Sequence, residues 1–173
     1  MMSRRFQSSF QQAGAPGVPA ALFLLLPLIL LPLHIRGQTP KGTPTADAIL
    51  GVKIGMSFDE VRAKLDGLGT SGGQDTRAGG RKEVWTLQGT EYQYLVVKTN
   101  ANKRVIQVSG FSRPGKGLSF ESLGDLSRAT GTTDSQAIWN VETPSGGYRL
   151  VAKGQNRTAS VVYLLDLSLP TIQ

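Results

Sequence analysis

The chain has 173 residues, 19 Lys and Arg against 12 Asp and Glu, a formal charge of +7, one histidine and no cysteine. Lack of cysteine excludes disulfides, thiol chemistry, thiolate metal sites and a lipid-attachment cysteine. The single histidine, His34, lies in the N-terminal leader, so the rest of the chain has neither a Ser-His-Asp nor a Cys-His mechanism nor a common zinc set.

Residues 1–37 read as that leader. A polar stretch with Arg4 and Arg5 and no acids precedes the apolar run Val18–Leu33, which is short for a membrane span and is interrupted by Pro27 and Pro32. The pattern predicts a secretory signal, with Gly37 and Ala48 as two possible ends, or else an uncleaved N-terminal anchor facing the periplasm. Arg4, Arg5 and Arg36 belong to or border this segment, leaving 16 basic and 12 acidic residues elsewhere, a balance of +4. Arg81-Lys82 and Lys103-Arg104 are read as solvated strand ends, and no nucleic-acid partner is expected.

Residues 38–48, rich in Pro, Thr and Gly, form a linker. Leu50, Val52 and Ile54 then alternate with polar or glycine positions as a short extended lead-in. Ser57 followed by Glu60 is a capping-box signature, in which hydroxyl and carboxylate each satisfy a backbone N–H left over by the first helical turn. Phe58, Val61, Leu65 and Leu68 fall on one helical face, and Met56 is placed to staple onto Val61. The helix is expected to end among Gly67 to Gly73, and Ser71–Gly80 is expected to be a polar, glycine-rich loop. Three alternating runs follow, Lys82–Leu87, Glu91–Lys98 and Arg104–Phe111, joined by connections short enough for hairpins.

The order then recurs. Gly117-Leu-Ser-Phe120 restates Gly55-Met-Ser-Phe58, with Ser119 as cap and Phe120, Leu123 and Leu126 as the apolar face of a helix ending near Gly131. Alternating runs Gln136–Glu142, Gly147–Lys153 and Thr158–Leu167 come next. Helix positions repeat at an offset of 62 (Phe58 to Phe120) and strand positions at 54 (Trp85 to Trp139, Tyr94 to Tyr148), as a duplication with one deletion in the glycine-rich loop would give. The expected fold is α+β: two tandem repeats, residues 49–112 and 113–168, each one helix followed by a three-stranded antiparallel meander, with the helices packed on one face of the sheet. Residues 169–173 are a tail.

Gly51, Gly55, Met56, Ser57, Glu60, Val61 and Leu65, and in part Gly117, Leu118, Ser119 and Leu123, make residues 49–167 resemble the module of the β-lactamase inhibitory protein. The small lipoprotein subunit of the outer-membrane β-barrel assembly machinery has a similar module. The resemblance implies an exported binding protein whose strands form a surface for another protein. The disulfides of the former and the lipid anchor of the latter have no cysteine to form them here.

Candidate binding residues are the strand aromatics Trp85, Tyr92, Tyr94, Trp139 and Tyr148, together with Gln74, Asp75 and Arg77 of the long loop. Large rings facing outward give contact area at little conformational-entropy cost. A duplicated core using the same rings twice gives the same pattern; the tryptophans are read as core and the tyrosines stay open. The loop is either a binding element or a tolerated insertion. Asn156-Arg-Thr158 has the form of a glycosylation acceptor, but its counterpart Asn102 at the same hairpin points to a turn role for both. No catalytic residue, metal or cofactor is expected. The expected function is that of a non-enzymatic, protein-binding module of the bacterial envelope, periplasmic or secreted. The alternative is a membrane-anchored accessory protein, touching the membrane through its leader alone. A histidine-free glycan hydrolase would need two carboxylates facing each other across a cleft.

Overall fold

The computed structural model describes residues 45–77, 79–144 and 146–168, all within the compact unit Gln38–Gln173. The leader, most of the linker and the tail lie outside the described residues. No helix among the described residues is long and apolar enough to cross a membrane.

The lead-in folds back on itself at Leu50 and Gly51, both with positive φ, and pairs Ile49 with Val52. The chain then enters α1 (Phe58–Leu65) through a complete capping box. The Ser57 N–H donates to Glu60 Oε2 at 2.8 Å, and the Glu60 N–H donates to Ser57 Oγ at 3.3 Å. Eight strands run antiparallel in the order β1 (Gly69–Asp75), β2 (Arg81–Leu87), β3 (Tyr92–Thr99), β4 (Val105–Ser112), β9 (Thr158–Asp166), β8 (Gly146–Gln155), β7 (Gln136–Thr143) and β6 (Gly131–Thr132). A ninth, β5 (Leu118–Ser119), pairs with β9 beside the start of α2 (Phe120–Leu123).

This single nine-stranded sheet replaces the expected pair of helix-plus-three-stranded-meander repeats, for three physical reasons. First, β4 and β9 pair directly over five register positions, Gln107↔Leu165 to Phe111↔Val161, so the strands join one ladder. Second, the segment expected to be loop is mostly strand. Gly69–Asp75 pairs along all seven positions with Arg81–Leu87, and this edge is held by backbone hydrogen bonds and buries almost no side chain. Third, the second helix is a single turn. Ser119 caps it, but Ser122 stands where α1 has Glu60, and Gly124 at φ 171° leaves the helical path. Asp125 then caps a separate 3-10 turn, Leu126–Arg128.

One buried cluster unites Val61 and Leu65 of α1, Phe120 and Leu123 of α2, Ile49 and Val52 of the lead-in, and inward residues of the sheet. Trp85, Leu87, Leu95, Val97, Val108, Trp139, Leu150, Val162 and Leu164 are among the latter. Because side chains alternate along a strand, these fix which face of the sheet is the core face. Glu83 shares it, fully buried, with its carboxylate 2.9 Å from Arg81 Nε and 3.6 Å from Arg62 Nη2.

Candidate functional site: the second face of the sheet

The residues between the core positions build the opposite face, and the strand register lines them up in three rows. The first is Gln74, Lys82, Lys98, Gln107, Leu165, Arg149 and Asn140. The second is Gly72, Val84, Val96, Ser109, Tyr163, Val151, Ile138 and Gly131. The third is Thr70, Thr86, Tyr94, Phe111, Val161, Lys153 and Gln136. With strands about 4.8 Å apart, the middle row spans roughly 34 Å.

None of the apolar side chains in these rows belongs to the buried cluster or packs against it. Val84, Val96, Phe111, Ile138, Val161, Tyr163 and Leu165 are half-buried, Val151 and Ser109 of the same rows are buried, and Tyr94 stands 39% exposed. Three cations of the first row, Lys82, Lys98 and Arg149, and one of the third, Lys153, border this apolar band; none forms an ion pair with a described residue, and Arg149 Nε donates to Asn140 Oδ1 at 2.8 Å. The three rows contain no carboxylate; Glu142 lies one row further out, beside Gly147 at the end of β7. A groove of about 780 Å³, lined in part by Gln93, Arg113, Lys153 and Ser160, opens beside Lys153. The Arg113 guanidinium is itself engaged, donating to the Thr90 carbonyl at 3.0 Å and to the Leu87 carbonyl.

Of the eight residues singled out from the sequence, only Tyr94 and Gln74 lie on this face. Trp85, Tyr92, Trp139 and Tyr148 are buried in the core. The Trp139 indole donates to the Asp125 carbonyl at 2.9 Å, whereas Trp85 Nε1 is buried without a hydrogen-bond partner among the described residues. Tyr148 Oη donates to the Thr45 carbonyl at 3.4 Å. Burial raises the pKa of both Tyr92 and Tyr148, with Glu91 and Asp47 respectively adding to the effect. Asp75 is turned to the other side of β1 and meets Arg81 at 3.3 Å, and Arg77 is exposed in the turn that follows.

The offset of 54 that equates Tyr94 with Tyr148 does not hold in space. Trp85 is registered with Leu95 and Trp139 with Leu150, a shift of 55 on the partner strand, and a bulge separates Tyr92 from Tyr94. One residue is enough to turn a side chain to the other face. Phe111, Tyr163, Lys98, Arg149 and Lys153 were not singled out in the sequence, and Lys82 was read as a solvated strand end. Their signal was present in the polar members of each alternating run (Lys82 and Thr86, Gln107 and Ser109, Arg149 and Lys153), which mark the parity that avoids the core.

Two carboxylates elsewhere, Glu60 and Asp125, are engaged at helix starts. Hydrogen bonds from Ser57, side chain first and backbone second, hold Glu60 below the usual carboxylate range, and Ser127 does the same for Asp125. No group of three or more His, Cys, Asp or Glu among the described residues is placed to hold a metal ion. Comparison of the chain with family models, with curated proteins and with solved structures finds no match in any of the three.

Proposed function

We propose that the chain is an exported, non-enzymatic binding module of the bacterial envelope that engages another protein through the second face of its sheet. The observation that carries this reading is the apolar band of Val84, Val96, Phe111, Tyr163, Val161 and Ile138, half-buried side chains that lie outside the core cluster. A contiguous apolar patch edged by polar groups is the anatomy of a protein interface. The leader pattern supports export, and the resemblance carried by Gly51–Leu65 and Gly117–Leu123 implies the same kind of activity.

The test is a photo-crosslinking amino acid placed at Tyr163, and for comparison at Ala63 on the exposed side of α1, in the full chain within the cell that makes it. The expected result is a discrete protein adduct from position 163 that position 63 does not give. Equal labelling from both positions, or none from 163, would sink the reading. N-terminal sequencing of the exported product separates a released module from an anchored one.

A further inference from the structure

Lys82 on β2 and Lys98 on β3 are direct register partners. Like charges standing opposite each other across two strands destabilise a sheet, and neither lysine has an ion-pair partner among the described residues. Lys53, Arg62, Arg81 and Arg157 have ion-pair partners, and other cations such as Lys64, Lys103 and Lys116 have none among the described residues; what sets Lys82 and Lys98 apart is that they stand directly opposite each other on a face whose rows contain no carboxylate. On the far side of the apolar band, Arg149 and Lys153 lie four residues apart on β8, about 13 Å at strand rise. From β2 to β8 is four strand steps, roughly 19 Å. The four cations therefore border a patch about 13 by 19 Å, with Val96, Ser109, Phe111, Tyr163 and Val161 inside it.

Building on the reading of this face as a docking surface, we infer that its partner is an acidic loop or hairpin of another protein. Carboxylates on the two flanks of that loop meet Lys82 and Lys98 on one side and Arg149 and Lys153 on the other. Apolar side chains at its tip lie on Phe111, Tyr163 and Val96. The occupant supplies the counter-charge that the face lacks, which accounts for two lysines held opposite each other. A nucleic-acid strand fits less well. Aliphatic Val84, Val96, Val151, Ile138, Val161 and Leu165 outnumber the rings on which bases would stack, and Gln107 and Leu165 interrupt the first-row cations between Lys98 and Arg149.

A display library of disulfide-closed random peptide loops, panned against the full chain, tests this without knowledge of the native partner. Recovered loops are expected to be enriched in Asp and Glu flanking apolar residues. They should bind the Lys82→Gln/Lys98→Gln variant at least tenfold more weakly, lose affinity as salt rises, and be indifferent to Lys64→Gln on α1. Thermal unfolding of the Lys82→Gln/Lys98→Gln variant, expected at or slightly above the wild-type midpoint, shows that the loss is not one of folding. Loops that depend on Tyr163 and Val96 but carry no acidic excess overturn the inference and leave the docking reading standing. Loops insensitive to substitutions at Tyr163, Val96 and the four cations overturn both, as does failure to recover any loop. Tighter binding of an oligothymidine strand or of phosphatidylglycerol vesicles than of the acidic loops overturns the choice of a protein partner.

Discussion

The Arg81 guanidinium holds the buried Glu83 carboxylate at 2.9 Å, two residues away on the same side of β2. Glu83 is 1% exposed, so its charge depends on that contact and on the longer one to Arg62. Arg81 also reaches Asp75 on the edge strand, so one side chain ties β1 and β2 to the core below. Removing one partner of a buried pair strands the other charge, whereas removing both does not. Arg81→Met is therefore expected to lower the midpoint of denaturant unfolding. Arg81→Met/Glu83→Met should lower it by less than Arg81→Met alone. Arg62→Met, which breaks a half-exposed contact at 3.6 Å, is expected to cost under about 1 kcal/mol. A double variant worse than Arg81→Met would show that the carboxylate is not held by this pair.

The two tryptophans occupy comparable places in the sheet yet differ at one atom. Trp139 Nε1 donates to the Asp125 carbonyl, which the 3-10 turn presents to it, while Trp85 Nε1 is buried with no partner among the described residues. Both Trp→Phe substitutions lose ring volume, but only Trp139→Phe also breaks a hydrogen bond, and only Trp85→Phe removes an unsatisfied donor. Trp139→Phe is expected to be the more destabilising by about 1 to 2 kcal/mol. Equal losses in parallel unfolding curves would contradict the difference in bonding.

Much of the fold was legible because its signals are local. Ser57 and Glu60 announce the start of α1, and the six alternating runs locate β2, β3, β4, β7, β8 and β9 to within a residue or two. What was not legible depends on backbone or on distant partners. β1 has no apolar residue to betray it, since Gly69–Asp75 pairs through main-chain groups alone. The second helix stops at Leu123, where Gly124 takes an extended backbone (φ 171°, ψ 164°) packed against Trp139, so that an added Cβ would lie 3.0 Å from the ring. No spacing rule in the segment itself contains that contact. The candidate face was half-legible: alternation separates Lys82, Val84 and Thr86 from Glu83, Trp85 and Leu87, but only the register across eight strands gathers the cations beside one band.

The capping box gives α1 a predictable acid response. Ser57 Oγ and N–H both donate to Glu60 Oε2, at 2.7 and 2.8 Å, and this keeps the folded-state pKa of Glu60 below its ordinary value. A depressed folded pKa contributes stability that is present above the unfolded value, roughly 4.3, and that is lost as pH falls through the folded value. Ser57→Ala is expected to cost about 1 kcal/mol at neutral pH. It should also flatten the acid limb of a stability-against-pH curve measured from pH 5 downward. Ser119→Ala, which removes a cap without a partner glutamate, should leave that limb unchanged; a matching change in both would deny the Glu60 contribution.

Tyr92 gives the opposite limb, because burial raises its pKa and the nearby Glu91 adds to the shift. Its ring packs under Gly110, where an added Cβ would come within 2.6 Å of Tyr92 Cε1, so the phenol has little room to move toward water while the sheet is intact. Above roughly pH 10 an unfolded tyrosine gives up its proton, while the native one keeps it until the pH reaches the higher folded value. The unfolded state then binds fewer protons than the native state, so stability falls as pH rises, by up to about 1.4 kcal/mol per pH unit for one group. Tyr92→Phe keeps the ring and removes the titration, and is expected to abolish that part of the decline between pH 10 and 12 while leaving neutral stability within about 1 kcal/mol. Gly110→Ala, which forces the ring aside, is expected to cost about 1 to 3 kcal/mol at neutral pH instead. Chemical denaturation of the three proteins at pH 7, 10 and 11.5 distinguishes the two effects, and an unchanged alkaline decline in Tyr92→Phe would show that Tyr92 does not control it.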